Sequence, residues 1–252
     1  MFSYAAISDI GPVFSTNDDM ILIGDSIIRE GEYTGILNTD YVIASVCDGV
    51  GGLSDGYKAA EISLIQMRLL NHIGVNKPEI RKCIEGANYN VIKEQEQSLN
   101  KSGLRTTLVA LYIDKQKSYA INAGDSRLYQ YRSKNTILLS KDHSIVQNMI
   151  DIGEINELQA MRHPKRNIIT KCIGDEEKVN ARIIEFDGNN GDLYILCSDG
   201  ISDCFCIDEF NELLKSIESY DLIDICRSIV KESISRGSTD NMSICLIRRE
   251  KE

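Results

Sequence analysis

Six aspartates, Asp19, Asp48, Asp125, Asp199, Asp203 and Asp240, stand where extended apolar stretches begin, bend or end. Tyr41-Val-Ile-Ala-Ser-Val46 is a short, β-branched run that reads as a strand covered on both faces, and it leads into Cys47-Asp48-Gly49-Val50-Gly51-Gly52. The glycines let the backbone turn sharply there and approach a ligand closely. Leu193-Tyr-Ile-Leu-Cys-Ser198 repeats the pattern, running into Asp199-Gly200 with Asp203 close behind. Gly124-Asp125-Ser126-Arg127 interrupts another extended run, as a bend that re-aims a carboxylate does. Asp18 and Asp19 open a strand over residues 20–24, their side chains diverging to opposite faces, and Asp240 opens a last strand over residues 242–247.

Any one of these acids reads equally well as a turn residue. Six of them at strand ends describe a hard oxygen site, in which carboxylates, backbone carbonyls and water suit magnesium or manganese. Three scattered histidines and the lack of a Cys-x-x-Cys pair argue against zinc. Two such ions side by side polarise a water and neutralise a phosphoryl group, the apparatus of phosphate-ester hydrolysis.

The elements that must position these acids follow from hydrophobic period. Residues 2–8, 104–113, 118–123 and 128–132 read as further strands, and residues 25–40 as a long loop or irregular hairpin. Ala59, Ile62, Ile65, Leu69 and Ile73 recur at helical spacing from Asp55 on, then Ile80, Ile84, Ala87 and Val91. Phe210, Leu213, Leu214 and Ile217, then Leu222, Ile225, Cys226, Ile229 and Val230, give two more amphipathic helices. Asp142 or Ser144 caps a helical stretch that opens a polar, locally basic region. Arg127 reads as the ion-pair partner of the acid beside it.

With 252 residues, three prolines and no linker-like segment, the chain is expected to be a single domain over 1–252. Its composition, 42% hydrophobic and 26% charged, is that of a soluble globular protein, and no run reaches membrane-spanning length. The N-terminus lacks a secretory pattern, which points to the cytoplasm. Eight scattered cysteines, several inside apolar runs, read as buried thiols, not as a disulfide framework. A net charge of -10 argues against nucleic acid and accords with binding cations. Neither a nucleic-acid nor a membrane partner is expected, and a monomer is.

The ordered set of motifs resembles the metal-dependent serine/threonine protein phosphatases of type 2C, the PPM family, in its bacterial form. The likeness runs along essentially the whole chain. It passes through Asn17-Asp18-Asp19, Asp48-Gly-Val-Gly-Gly52, Thr106-Thr107, Gly124-Asp-Ser-Arg127, Asp142-His-Ser144, His163-Pro-Lys-Arg-Asn167, Ser198-Asp-Gly200 with Asp203, and Asp240-Asn241. The resemblance implies an α+β fold of two stacked antiparallel β-sheets flanked by helices on both sides. It implies hydrolysis of phosphoserine and phosphothreonine on proteins, opposing a serine/threonine kinase. Asp48 would bridge two ions, manganese or magnesium, with the Gly49 carbonyl on one of them. Asp199 and Asp240 would complete the first site, and Asp19, with Asp18 acting through water, would hold the second. Asp125 and Asp203 would form a third, weaker metal site, and residues 145–166 a flap shaping substrate access.

Three departures qualify the likeness. Phe14 stands where the family usually has a phosphate-gripping arginine, Arg105 where glycine commonly precedes Thr106-Thr107, and Val50 where many eukaryotic members have a histidine acid. Arg105 is therefore expected to supply the phosphate contact, and His163 is a candidate proton donor to the leaving alcohol. Other phosphatase designs are absent: no cysteine is followed by arginine six positions later, and no D-x-D-x-[TV] nucleophile occurs. The rival reading, prompted by Phe14, is a catalytically inactive phosphatase-like module that binds a partner. Its weakness is that a binding module has no reason to retain a full set of mutually repelling acids.

Overall fold

The computed structural model describes residues 1–50, 56–97 and 103–250. Gly51, Gly52 and Asp55, which the sequence places at the first acid motif and the start of a helix, lie outside the described residues.

The chain begins with β1 (Phe2–Asp9), β2 (Asp19–Ile23), β3 (Ser26–Ile28), β4 (Gly31–Leu37) and β5 (Val42–Val50). Helices α1 (Gly56–Met67) and α2 (Lys77–Gln97) follow, then β6 (Arg105–Thr106), β7 (Leu108–Ile113), β8 (Ser118–Ala123), β9 (Arg127–Arg132) and β10 (Asn135–Leu138). Two short helices, α3 (Ile145–Asp151) and α4 (Glu157–Ala160), precede β11 (Arg182–Phe186) and β12 (Leu193–Cys197). The chain closes with α5 (Asp199–Ser202), α6 (Ile207–Ile217), α7 (Leu222–Ser235) and β13 (Met242–Arg249).

Two antiparallel sheets result, one in the order β10-β9-β12-β13-β1-β4 and one in the order β11-β8-β7-β5-β2-β3, with β6 paired to β5. Ala6, Ile21, Val46, Leu111, Leu196 and Cys245 fill the space between the sheets. Leu64, Met67, Ile80 and Ile84 join Ile43 and Tyr112 on the outer face of the second sheet, and Phe210, Leu214, Ile225 and Ile229 join Ile195 and Ile244 on that of the first. The result is the expected four-layer α-β-β-α arrangement. It explains why β2, β7, β8 and β12 are buried at every position. A sheet covered on both sides needs apolar residues on both faces of its inner strands, so alternation disappears.

Several elements differ from their sequence signal. β4, inside the expected loop, is an edge strand whose seven residues are exposed or half-exposed, so nothing in its pattern announces a buried face. The predicted strand over 104–113 is broken at Thr107, between β6 and β7. In α1 the packed face is Ala59, Ala60, Ser63, Leu64 and Met67, while Ile65 faces solvent; the helix ends at Met67, and Leu69 and Ile73, beyond it, are exposed. Both stripes have helical period; the one with small residues lets α1 lie close on the sheet and on α2, and close packing decides.

The chain changes sheets at Gly124, between β8 and β9, where φ is +117°. A Cβ at that position would fall 2.6 Å from Thr107 Cβ. Gly153, with φ +74° at the exposed end of α3, has nothing within 4 Å. Gly124→Ala is therefore expected to lower stability by about 2–4 kcal/mol, and Gly153→Ala, which meets only backbone strain, by about 1 kcal/mol. Urea unfolding of the two variants measures the difference; equal losses would contradict the close approach at Thr107.

Candidate metal centre

The acids meet where ends of the two sheets abut. Asp19, the first residue of β2, is directly opposite Asp48 of β5 in the antiparallel register. Asp199 follows the end of β12, and Asp240 lies just before β13, its central partner in the other sheet. Asp125 occupies the sheet-changing bend beside Gly124, and Asp203 follows the single turn of α5.

Hydrogen bonds to backbone and side chains fix several of these acids. The Asp48 carbonyl accepts hydrogen bonds from Thr107 N (2.8 Å) and Thr106 Oγ1 (2.9 Å), while Asp48 N donates to Thr107 Oγ1 (3.0 Å). Ser198 Oγ donates to one Asp19 oxygen at 2.7 Å and itself accepts from Ser243 N at 3.0 Å. Asn241 Oδ1 accepts from Asp18 N at 2.9 Å, and its Nδ2 donates to the carbonyls of Ile10 and Thr16, which ties the β1–β2 loop to the start of β13. Asp18 Oδ1 accepts from Tyr57 N at the start of α1, where a carboxylate is favourably placed against the helix dipole. Gly49 and Gly56 are needed for this approach. A Cβ on Gly49 would sit 2.4 Å from the Gly56 carbonyl oxygen, and one on Gly56 would sit 2.8 Å from Asp18 Oδ2.

Burial and mutual repulsion push these carboxyls toward the protonated form. Asp19 rises to about 7, chiefly through burial and then Asp240 and Asp18, against the pull of its Ser198 and Ser243 hydrogen bonds. Asp125 rises to about 7, through burial and then Asp142 and Asp203. Asp48 is raised well above the carboxylate range by burial, then by Asp199, Asp19 and Asp125; Asp199 is raised likewise by burial, then by Asp125, Asp203 and Asp240. Asp199 is the neighbouring charge that acts most strongly on Asp48.

Three buried carboxylate oxygens, Asp19 Oδ1, Asp125 Oδ1 and Asp199 Oδ1, have no hydrogen-bond partner among the described residues. Leaving one such acceptor unsatisfied costs about 1–3 kcal/mol, and a hard divalent cation satisfies several at once. The donor set, all oxygen with no histidine or thiolate, fits magnesium or manganese. Among the described residues no three of these side chains stand around one common point. They form a chain of neighbours, Asp19 beside Asp48 and Asp48 beside Asp199, with Asp125, Asp203 and Asp240 acting on them through space.

The remaining expected site residues are placed less directly. Arg105 lies opposite Val50, and one nitrogen of its guanidinium pairs with Asp175 at 2.8 Å, both partly exposed; no described contact joins it to the aspartate cluster. His163 accepts the Lys165 N–H at Nδ1 within its own turn, and no described contact ties it to an aspartate. Arg127 pairs with Asp142 at 2.7 Å, not with the adjacent Asp125. Phe14 is an exposed aromatic in the β1–β2 loop.

Beside Asp199 and Asp240 opens a cleft of about 490 Å³, also lined by Asp203, Arg162, Arg166 and Arg236. Its outer wall is the segment carrying α3 and α4, closed at its base by Ile145 N donating to Ile168 O and Thr170 N to His143 O. Ser144 caps α3 by accepting from Gln147 N, and Asn156 forms a capping box with Gln159. α3 buries only Val146 and α4 only Ala160, so the segment rests lightly on the body of the molecule. Sequence reasoning missed Ser198 and Ser243 as supports of Asp19; their signal is weak, a serine beside each strand end that carries an acid.

An α-β-β-α sandwich with aspartates gathered where its two sheets abut defines a metal-dependent phosphoester hydrolase. Residues 29–238 match the family model described as protein phosphatase 2C. The chain is 31% identical over 217 residues to the serine/threonine phosphatase stp of Listeria welshimeri, covering 82% of this chain and 84% of that protein. Its fold superposes on Stp1 from Staphylococcus aureus with a TM-score of 0.84 at 23% identity, covering 100% of this chain and 96% of that one. The catalytic domain of PstP solved with two manganese ions gives a TM-score of 0.79 at 22% identity, with both chains covered completely. The chain belongs to the protein phosphatase 2C family, and its class is that of a protein serine/threonine phosphatase, not an inactive relative.

The raised carboxyls make a prediction for the metal-free protein. Asp19 and Asp125 titrate from 3.8 in an unstructured chain to about 7 when folded, so within that window the folded state holds more protons and stability falls as pH rises. In chelator the melting temperature should drop between about pH 4 and pH 7, and saturating magnesium or manganese should flatten the slope. Thermal unfolding at several pH values checks this; an equal slope with and without the ion would count against a cation at these acids.

Proposed function

We propose that the chain removes phosphate from phosphoserine and phosphothreonine on cytoplasmic proteins, opposing a serine/threonine kinase, with two divalent ions held by its strand-end aspartates. The observation that carries this reading is the set of buried carboxylate oxygens on Asp19, Asp125 and Asp199, without a partner among the described residues, beside an open cleft. Bound manganese or magnesium would supply a water of lowered pKa as nucleophile and offset the charge of the phosphoryl group.

The chain's own residues supply position and charge. Asp48, neighbour to both Asp19 and Asp199, is the carboxylate placed to serve two ions, with the Gly49 carbonyl as a neutral oxygen ligand on one. Asp199 and Asp240 complete the first site from the other sheet, and Asp19, with Asp18 through water, holds the second. Thr106 and Thr107 fix the Asp48 backbone, so its carboxylate answers to the ions and not to the loop. Asp125 and Asp203 are the ligands for a third ion. His163 keeps its assignment as proton donor only if the flap turns it inward, since its present contact is local.

Asp48→Asn keeps the shape and removes a charge. Manganese-dependent hydrolysis of p-nitrophenyl phosphate and of a phosphothreonine peptide should fall by roughly a thousandfold, with the metal-free melting temperature at neutral pH equal or higher. Retention of most of the activity by a folded Asp48→Asn protein would defeat the two-ion reading.

A further inference from the structure

The cations around the cleft can be sorted by what already holds them. Arg236 is tied to Glu232 and Glu209, donates to the Cys204 carbonyl and lies over the Phe205 ring. Arg127 is locked in a bidentate pair with Asp142, and Arg105 is committed to Asp175. Arg29 donates to the Asn17 carbonyl and lies over Tyr57. Arg162 and Arg166, both exposed on the flap wall of the cleft, have no ion-pair or hydrogen-bond partner for their guanidiniums among the described residues.

Of these two, Arg166 is the better placed. It lines the cleft that holds Asp199 and Asp240, and also the adjoining cavity of about 80 Å³ under α3 and α4, so it stands at the seam between them. Its positive charge acts on Asp203, which lines both cavities with it. A phosphate entering this cleft meets acids on one wall. It needs a cation on the other, and a planar guanidinium with five donors suits a phosphoryl oxygen pair.

We infer that Arg166 is the phosphate-binding residue of this chain: the flap, not the β1–β2 loop where Phe14 sits, supplies the guanidinium that grips the substrate phosphoryl group. This rests on the hydrolytic reading above for its substrate but not for its measurement. Because the flap rests lightly on the body, the phosphate contact and the position of the flap are linked, and binding phosphate draws the flap toward the metal centre.

The test is calorimetric titration of inorganic phosphate into the magnesium-loaded full chain, unaltered and as Arg166→Ala, Arg166→Lys and Arg105→Ala. Arg166→Ala should weaken phosphate binding roughly tenfold, and Arg166→Lys, which keeps the charge but loses the fork, by less. The KM for p-nitrophenyl phosphate should rise in parallel, with kcat changed by about twofold at most. Equal phosphate affinity in Arg166→Ala, absence of phosphate binding by the unaltered protein, or a loss confined to Arg105→Ala each overturns the assignment. Phosphate binding that depends on Arg166 without any phosphomonoester hydrolysis would instead overturn the hydrolytic reading and leave this one standing.

Discussion

Like charges brought together out of water set the terms for this molecule. Burial and neighbouring aspartates raise Asp19, Asp48, Asp125 and Asp199 together, and three of them keep an oxygen with no partner among the described residues. Replacing water by protein strengthens each repulsion, so the folded chain without a cation sits in an unfavourable arrangement there. A hard divalent ion attracts each of these carboxylates and outweighs their mutual repulsion. Metal binding and the mutual repulsion of these acids are two aspects of one electrostatic fact.

The rest of the fold supplies the rigidity such a cluster requires. Apolar side chains between the sheets and between each sheet and its helices fix the strand ends, and the acids sit just beyond the fixed part. Uncharged groups then pin the backbone: Thr106 and Thr107 on Asp48, Asn241 across the β1–β2 loop, Ser198 on one oxygen of Asp19. None of these supports carries a charge that would neutralise the acids permanently, which leaves the cation as the partner they lack. The flap is built on the opposite plan, with two short capped helices, one buried residue in each and exposed apolar residues such as Ile152 and Leu158. Segments of that kind sit at the low-stability end of a protein, where binding can move them.

Much of this was legible in the residues. The continuous apolar runs ending at Asp48 and Asp199 named both inner strands and both acids, because a strand buried on two faces leaves no polar position until it emerges. The helical stripes of α2, α6 and α7 pointed correctly at Ile80, Ile84, Phe210, Leu214, Ile225 and Ile229. The edge strand β4 was hidden because a strand with little buried area carries no pattern. The face of α1 was misjudged because two stripes shared one period, and periodicity says nothing about which will be close enough to pack.

The sequence alone determined the chemical kind of the site: oxygen ligands, no thiolate or imidazole set, and acids at successive strand ends. Residue type and local extension suffice for that. Which side chains remain available was decided only by tertiary structure, since availability depends on partners distant in the chain. Asp175 occupies Arg105 from 70 residues away, Asp142 claims Arg127, and Arg166 is left open at the cleft. A guanidinium's role follows from what its neighbours have left it to do, and neighbours are a property of the fold.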